Sequence, residues 1–189
     1  GARTGHRGHV PRADDPIDLH LHTFQSDGIW TPVQLIDHLA EHDIRVAAVC
    51  DHDTQRSVVE AIDYGARRGV HVIPGVEVTV RHDGRQWHML VYGIRPDDER
   101  PEAAAFLGLV RQQEETLTAL ARANWTRVER TGRALPSLRG IVGDGKMWTY
   151  PEVLTAMIRD GHVRNLTEAA NLITALGGRF NADLPIEEV

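Results

Sequence analysis

Apolar and polar residues alternate strictly over residues 17–22, in the sequence IDLHLH. A period of two is typical of a β-strand whose two faces differ in chemistry. We therefore predict a first strand here, with His20 and His22 on its polar face. The following letters, TFQSDG, indicate a loop. Thr31 and Pro32 then suit the start of a helix, because threonine caps helix N termini and proline fits the first turn.

Strand and helix patterns continue to alternate up to residue 94. The same reasoning predicts, in chain order, a buried strand at 46–50, a helix at about 57–68 that ends at Gly69, strands at 70–73 and 76–80 separated by Pro74-Gly75, an Asp-Gly turn at 82–85 and a strand at 87–94. Strands that alternate with helices at this spacing indicate an α/β fold class with parallel strands.

After Pro96 the alternation of strand and helix patterns gives way to a composition typical of helices. Residues 101–131 are rich in Ala, Leu, Glu, Gln and Arg and predict one long helix or two. Two further helices are expected at 151–160 and 167–176, the second ended by Gly177-Gly178. We find no strand pattern in this region.

Composition narrows the classes of function. A net charge of −6 argues against duplex nucleic-acid binding through a basic surface. No apolar run approaches the roughly 20 residues that span a bilayer, and no secretory signal is visible. The single Cys50 cannot form an internal disulfide, which suits a reducing compartment. These features favour a cytoplasmic protein without a membrane partner.

Polar side chains recur where the predicted strands end. His20 and His22 end the first strand, His52 follows the second, and Glu77 and His88 lie on later strands. Ligands of parallel α/β folds bind beyond the carboxyl ends of the strands, so these scattered residues are expected to converge. Of eleven histidines, the other seven follow no such pattern.

Each candidate also has a plainer explanation. Asp27 in Ser-Asp-Gly is ordinary turn chemistry, and Asp53 or Thr54 could cap the next helix. Glu77 could face solvent, and His88 could be a hydrogen-bonded core histidine. Taken together, however, the side chains favour a metal centre, because two histidines two residues apart on one strand can grip one ion.

Mixed imidazole and carboxylate ligands suit zinc, manganese or iron better than calcium. Two ions about 3.5–4 Å apart can activate a water molecule and clamp a phosphoryl group. Asp51, and with less support Asp18, are candidates for fixing the tautomer of a ligand imidazole. The chain has no GxSxG motif, Walker-type glycine loop or CxxC motif, so serine, P-loop and dithiol chemistry are not indicated.

The motifs DLHLHTFQSDG, CDHDT, PGVEVT and WHML resemble, in order and spacing, those of the PHP (polymerase and histidinol phosphatase) family. The resemblance covers roughly residues 17–94. It implies a distorted (β/α)7 barrel with two or three divalent ions (Mn²⁺, Zn²⁺ or Fe²⁺) and phosphoester hydrolysis. By motif position, the implied metal ligands are His20, His22, Asp27, His52, Glu77 and His88.

Within that family the chain is most similar to phosphoesterases that act on nucleoside 3′,5′-bisphosphates and on short oligonucleotides. Residues 1–16 have little hydrophobic content and are predicted to form a flexible leader. The resemblance implies a PHP domain at 17–189, with barrel elements at 17–100 and a helical insertion at 101–178. Where those relatives carry Arg-Pro-His, this chain reads Tyr150-Pro151-Glu152, which bears on the substrate.

The resemblance further implies later barrel strands with about three more ligands, which do not appear before Val189. We therefore expect the chain to be C-terminally incomplete and weakly active or inactive by itself. The alternatives are a histidinol-phosphate phosphatase and a non-catalytic metal-binding module. An amidohydrolase is a weaker alternative, because those enzymes typically need a carboxylated lysine and Lys146 is the only lysine.

Overall fold

A computed structural model describes residues 8–143 and 146–189. It divides into two compact units, the first running to residue 111 and including 184–189, the second formed by 112–183. Within these ranges, no helix combines the length and apolar character that a membrane span requires.

The first unit is a mixed sheet with helices. Its elements are, in chain order, β1 (Ile17–Leu21), α1 (Pro32–Glu41), β2 (Val46–Val49), α2 (Val58–Arg68), β3 (His71–His82), β4 (Arg85–Tyr92), the start of α3 (Pro101–Glu129), β5 (Leu184–Pro185) and a 3-10 turn (Ile186–Glu188). The strand order is β1-β2-β3-β4, with β5 beside β3. β1, β2 and β3 run parallel, and β4 is antiparallel to β3. The predicted α/β class with parallel strands is confirmed.

The predicted start of α1 is also confirmed. The Thr31 hydroxyl accepts a hydrogen bond from the Gln34 backbone N–H, and the Gln34 side chain accepts one from the Thr31 backbone N–H. Pro32 occupies the first turn, where its missing N–H is harmless. The helix then buries an apolar stripe that includes Ile36 against β2, which fixes the loop between β1 and α1 at both ends.

β3 differs from the prediction of two strands at 70–73 and 76–80. It runs unbroken through Pro74, because its pairing partner changes there. Residues up to Pro74 pair with β2, and residues from Gly75 pair with β4. A Cβ at Gly75 would lie 2.6 Å from Cys50 Sγ and 2.9 Å from the Val49 carbonyl oxygen, so only glycine fits this crossing point. Proline and glycine therefore mark a change of partner, not an end of the strand.

The Asp-Gly turn between β3 and β4 is confirmed. Asp83 and Gly84 have φ values of 49° and 71°, the left-handed conformation that a tight hairpin turn requires. The start of α3 packs Phe106, Leu107 and Val110 against β3. β5, which the hydrophobic pattern did not predict, joins the same apolar cluster through Leu184.

The second unit is helical. It contains the remainder of α3, which is one continuous helix, together with α4 (Leu138–Val142), α5 (Tyr150–Arg159) and α6 (Leu166–Ala175). α4 was not predicted. Fully buried Val128, Val153, Met157 and Ile173 form the centre of its apolar core.

Part of the predicted leader lies within the described residues. The His9 ring nitrogen Nε2 lies 2.6 Å from Asp15 Oδ2, and the Asp15 backbone N–H donates to the Arg12 carbonyl. Residues 1–7 of that leader lie outside the described residues. The division into leader, barrel and insertion stays a prediction.

Candidate metal centre

The six predicted ligands come from neighbouring elements of the first unit. His20 lies on β1, His52 follows β2, and Glu77 and His88 lie on β3 and β4. Because β1, β2 and β3 are parallel, their carboxyl ends meet at one edge of the sheet. The β3–β4 register pairs His88 with Thr79, which places His88 on the same face as Glu77.

Glu77 is the centre of the cluster. Its Oε2 atom lies 2.8 Å from His20 Nε2 and 3.1 Å from His22 Nε2. Its Oε1 atom lies 3.0 Å from His88 Nδ1. The two oxygens of one carboxylate therefore contact different histidines. The backbone is held equally closely, because the Glu77 N–H donates to the Asp51 carbonyl and the Glu77 carbonyl accepts from the Asp53 N–H.

Asp27 and His52 complete the arrangement. Oδ1 of Asp27 lies 3.0 Å from His22 Nδ1, and its Oδ2 lies 3.7 Å from His52 Nε2. His52 Nε2 is also 3.7 Å from Glu77 Oε2. The imidazoles form a continuous row, with ring centroids 4.8 Å apart for His22 and His52 and 4.7 Å apart for His52 and His88.

These donor atoms form three overlapping groups, each with one ligand atom per residue within 4.8 Å of the others. The groups are His20, His22 and Glu77; His22, Asp27 and His52; and His52, Glu77 and His88. The nitrogen and carboxylate donors fit transition-metal divalent ions. Because the groups share members, the donor set suits adjacent ions better than one isolated ion.

Burial and charge shift the pKa values of two residues of the cluster, Glu77 and His52. Burial by itself would raise the pKa of Glu77, but the hydrogen bond with His20 and the nearby histidines hold that pKa below its usual value. Burial lowers the pKa of His52, against the opposing effects of Glu77 and Asp27. Both shifts favour an ionised carboxylate beside a neutral imidazole, which are the forms that bind metal.

Asp51 lies directly before His52 and holds the loop after β1 through hydrogen bonds. Its buried carboxylate accepts hydrogen bonds at 2.7 Å from the Thr23 N–H, the Thr23 hydroxyl and the Ser26 hydroxyl, and a further one from the Ser57 hydroxyl. The Ser26 hydroxyl that donates to Asp51 also lies 3.3 Å from His22 Nδ1, which links Asp51 to an imidazole. Asp51 thus fixes the loop that carries Asp27.

Asp18 likewise contacts the backbone of a candidate ligand. Its Oδ1 accepts a hydrogen bond of 3.2 Å from the His20 backbone N–H. Asp18 and Asp51 can therefore steady the ligand-bearing segments, while any influence on imidazole tautomers stays a prediction.

The alternative explanation, in which Asp53 or Thr54 caps α2, does not fit the structure for Asp53. Ser57 stands at the N-cap position, and the Asp53 carboxylate accepts from the Thr79 N–H at 2.8 Å and the Thr79 hydroxyl at 2.7 Å. Burial raises the pKa of Asp53, and the bonds from Thr79 partly offset this. Asp53 therefore ties the segment after His52 to β3. The one local signal was a second carboxylate directly beside His52.

The Tyr150-Pro151-Glu152 stretch lies at the start of α5, in the second unit. The buried Glu152 carboxylate accepts from the Thr149 N–H at 2.9 Å and the Thr149 hydroxyl at 2.7 Å. Its other oxygen lies 2.8 Å from Lys146 Nζ. Glu152 is thus engaged as a helix cap, and the only lysine of the chain is paired with it.

Comparison with known proteins agrees with this geometry. The model of the PHP domain matches residues 18–167. A 3′,5′-nucleoside bisphosphate phosphatase of Chromobacterium violaceum is 38% identical over 96 residues, covering 51% of this chain and 33% of that protein. A 5′-3′ exoribonuclease of Haemophilus influenzae is 34% identical over 90 residues, covering 48% and 32%.

A third relative is a phosphoribosyl 1,2-cyclic phosphate 1,2-diphosphodiesterase of Eggerthella lenta, 34% identical over 109 residues, covering 56% of this chain and 41% of that protein. The chain thus spans roughly a third of the length of the curated relatives it matches.

Solved structures show the same fold. A Chromobacterium violaceum protein described as an amidohydrolase, with bound sulfate and no metal, has a TM-score of 0.66 at 27% identity, covering 82% of this chain and 54% of that one. A Bifidobacterium adolescentis protein described as a metal-dependent phosphoesterase has a TM-score of 0.71 at 22% identity, covering 95% and 63%. With the family model matching most of its length and the six donors in one cluster, the chain belongs to the PHP domain family.

Proposed function

We propose that this protein is a metal-dependent phosphoesterase that hydrolyses phosphate esters of nucleotides or short oligonucleotides. The observation that carries the proposal is the position of Glu77, a 6% exposed carboxylate surrounded by four imidazoles. A buried carboxylate of this kind is costly unless it is paired or coordinated. Divalent ions at this position would satisfy both the carboxylate and the neutral imidazoles around it.

The cluster has a buried base and an open side. The Glu77 side chain is 7% exposed, whereas those of His20, His88 and Asp27 are 47%, 42% and 65% exposed. A phosphoryl group can therefore approach from solvent on the side of the exposed histidines. Glu77 supplies negative charge at the buried base of the cluster, and Asp27 adds a second carboxylate on its solvent-exposed side.

We propose that the six clustered residues hold two or three divalent ions, Mn²⁺, Zn²⁺ or Fe²⁺. When bound, such ions supply an activated water molecule and neutralise charge on the phosphoryl oxygens. Asp51 and Asp53 keep the ligand-bearing segments in place before any ion arrives, because their hydrogen bonds are made within the protein.

The substrate assignment rests on the relatives, two of which are named for nucleotide or RNA substrates. A net charge of −6 is unfavourable for duplex nucleic acid, so a small phosphorylated molecule or a short single strand is the proposed partner. Glu152, engaged as a helix cap, gives no positive charge for a phosphate. The single buried Cys50 suits the proposed cytoplasmic location.

Metal content and phosphate release test the proposal together. The protein, purified at its full natural length, would be loaded with Mn²⁺, analysed for bound metal and assayed with adenosine 3′,5′-bisphosphate and histidinol phosphate. We expect Glu77→Gln and His52→Ala to lose metal and to lower phosphate release at least about a hundredfold. His71→Ala is the matched control, because His71 lies on the same strand as Glu77 and outside the cluster.

The outcomes separate the alternatives. Preference for histidinol phosphate would favour the histidinol-phosphate phosphatase. Metal binding without release of phosphate from any substrate would favour the non-catalytic module. Unchanged metal content in both cluster variants would remove these residues from the metal centre and refute the proposal.

A further inference from the structure

The second unit contains a cleft of about 1140 Å³, lined by residues of α3 and α4, by residues 134–136 and by Trp148. This volume is slightly above the range of about 300–1,000 Å³ that small-molecule sites occupy. Its wall combines two tryptophans, Trp125 and Trp148, with two arginines, Arg122 and Arg139. All of these residues lie within 112–183, so the cleft belongs to this unit by itself.

The aromatic wall is suited to flat ligands. The rings of Trp125 and Trp148 lie 5.6 Å apart between centroids, at an angle of 50°. The Arg122 guanidinium carbon lies 5.3 Å from the centre of the Trp148 ring, a distance that allows a cation–π contact with this indole. Nucleobases stack on indole and guanidinium planes in the same manner, at about 1–3 kcal/mol per base.

The charges of the cleft favour an anion. Within the described residues, neither Arg122 nor Arg139 is paired with a carboxylate, in contrast to Arg164, which pairs with Glu168. Glu129 also lines the cleft, so the two arginines leave a net positive wall.

Flat stacking surfaces beside unpaired guanidiniums are the combination that recognises a nucleotide. We infer that this cleft binds one nucleotide unit, with the base against the tryptophans and the phosphate held by Arg139 and Arg122. The inference goes beyond the proposed function, because it needs neither bound metal nor hydrolysis. It would give the helical unit a role in holding a nucleotide or one residue of a single strand.

Calorimetric titration of the whole chain with adenosine 5′-monophosphate, in the presence of a metal chelator, tests the inference. The chelator removes ion-mediated binding at the histidine cluster. We expect saturable binding that Arg139→Gln and Arg122→Gln each weaken roughly tenfold, because each removes a charge-assisted contact. Arg159→Gln, an exposed arginine on α5 outside the cleft, is the matched control and should leave the affinity unchanged.

Ribose 5-phosphate, which lacks the base, should bind at least tenfold more weakly, since base stacking is lost. His20→Ala should leave chelator-treated binding intact. Four results would overturn the inference: no saturable binding, equal weakening by Arg159→Gln, equal affinity for ribose 5-phosphate, or loss of binding in His20→Ala. Failure of hydrolysis alone would not affect it, so the two proposals fail separately.

Discussion

The two units of this protein bury different kinds of residue. Eight of the eleven buried polar residues in the described chain lie in the first unit: Thr23, Asp51, Asp53, Thr54, Gln55, Ser57, Glu77 and Thr79. The second unit buries Gln113, Asn124 and Glu152 around an otherwise aliphatic core. Buried polar groups are expensive unless hydrogen-bonded. In the first unit, these buried polar groups lie mostly where the strands end, around the candidate metal centre.

The difference shows how each unit is specified. The second unit depends on the shape of apolar side chains, which tolerate substitution if volume is kept. The first depends on directional hydrogen bonds, such as those from Thr23, Ser26 and Ser57 to Asp51, which require particular atoms. We therefore expect apolar truncation to damage the second unit without affecting the metal centre, and polar changes in the first unit to damage the centre directly.

The largest expected effect is on the alkylation rate of Cys50, which reports how well the core of the first unit excludes solvent. Burial raises the pKa of its thiol from 9.0 to about 12. A raised pKa means less thiolate at a given pH, so at about pH 8 the thiolate fraction falls roughly a thousandfold. Alkylation by iodoacetamide, followed by mass spectrometry, should be slower in the native protein by at least this factor than in urea.

Because Cys50 is the only cysteine, the rate reports no other site. A native rate within about tenfold of the rate in urea would show that the core around Cys50 opens readily. That result would contradict the burial of Cys50 in the first unit.

The next effect is expected for Met157→Ala in the second unit. Met157 is fully buried in the helical core, so truncation should lower the free energy of unfolding by about 2–5 kcal/mol. Urea titration followed by tryptophan fluorescence measures the loss. Arg159→Ala on the same helix, an exposed position, is the control. Loss of bound metal in Met157→Ala would contradict the separation between the two units.

A smaller effect is expected for Asp51→Asn. The amide keeps the size of the side chain but loses the charge that accepts hydrogen bonds from Thr23, Ser26 and Ser57. We expect a loss of about 1.5–3 kcal/mol in the free energy of unfolding. We also expect a 10- to 100-fold weaker metal affinity, roughly as found for other outer partners of ligands.

The control is Asp63→Asn, which changes an exposed carboxylate on α2. Metal titration of both variants measures how much of the loss in metal affinity is specific to Asp51. Equal metal affinity in the two variants would show that the loop carrying Asp27 does not need Asp51.

The smallest effect is expected for a pair of glycine substitutions. A Cβ at Gly28 would lie 2.8 Å from the Thr23 carbonyl oxygen and closer still to the His22 carbonyl. Gly28→Ala should therefore lower stability by about 1–3 kcal/mol and weaken metal binding with all ligands intact. At Gly140 in α4, an added Cβ would meet no described atom within 4 Å apart from the adjacent residues and the backbone of its own helix, so Gly140→Ala should raise stability by about 0.5–1 kcal/mol. Thermal unfolding of both variants measures these changes in stability. Unchanged stability in Gly28→Ala would refute the close packing of the loop around Gly28.

Much of the first unit was predictable because its signals are local. The alternation in IDLHLH, the Thr31-Pro32 start of α1 and the Asp-Gly turn each depend on a few adjacent residues. The convergence of the six candidate ligands followed from one general rule about the ends of parallel strands, together with the motif resemblance.

The features that were missed depend on distant partners. Asp53 bonds Thr79, 26 residues away, and no local pattern separates that contact from a helix cap. β3 continues through Pro74 because its partner changes there, which only the pairing of three strands reveals. β5 is two residues long and acquires its strand conformation by pairing with β3.

The pairing of β3 with both β2 and β4 has a consequence for folding of the sheet. One strand is aligned on the parallel side by β2 and on the antiparallel side by β4, and Glu77 lies just beyond the switch. A slip of one residue would turn Glu77 to the opposite face and leave the histidines without their shared carboxylate. An ion held by this cluster would thus stabilise a single alignment of both halves at once. Bound divalent metal would therefore favour the native register of the sheet over slipped registers during folding.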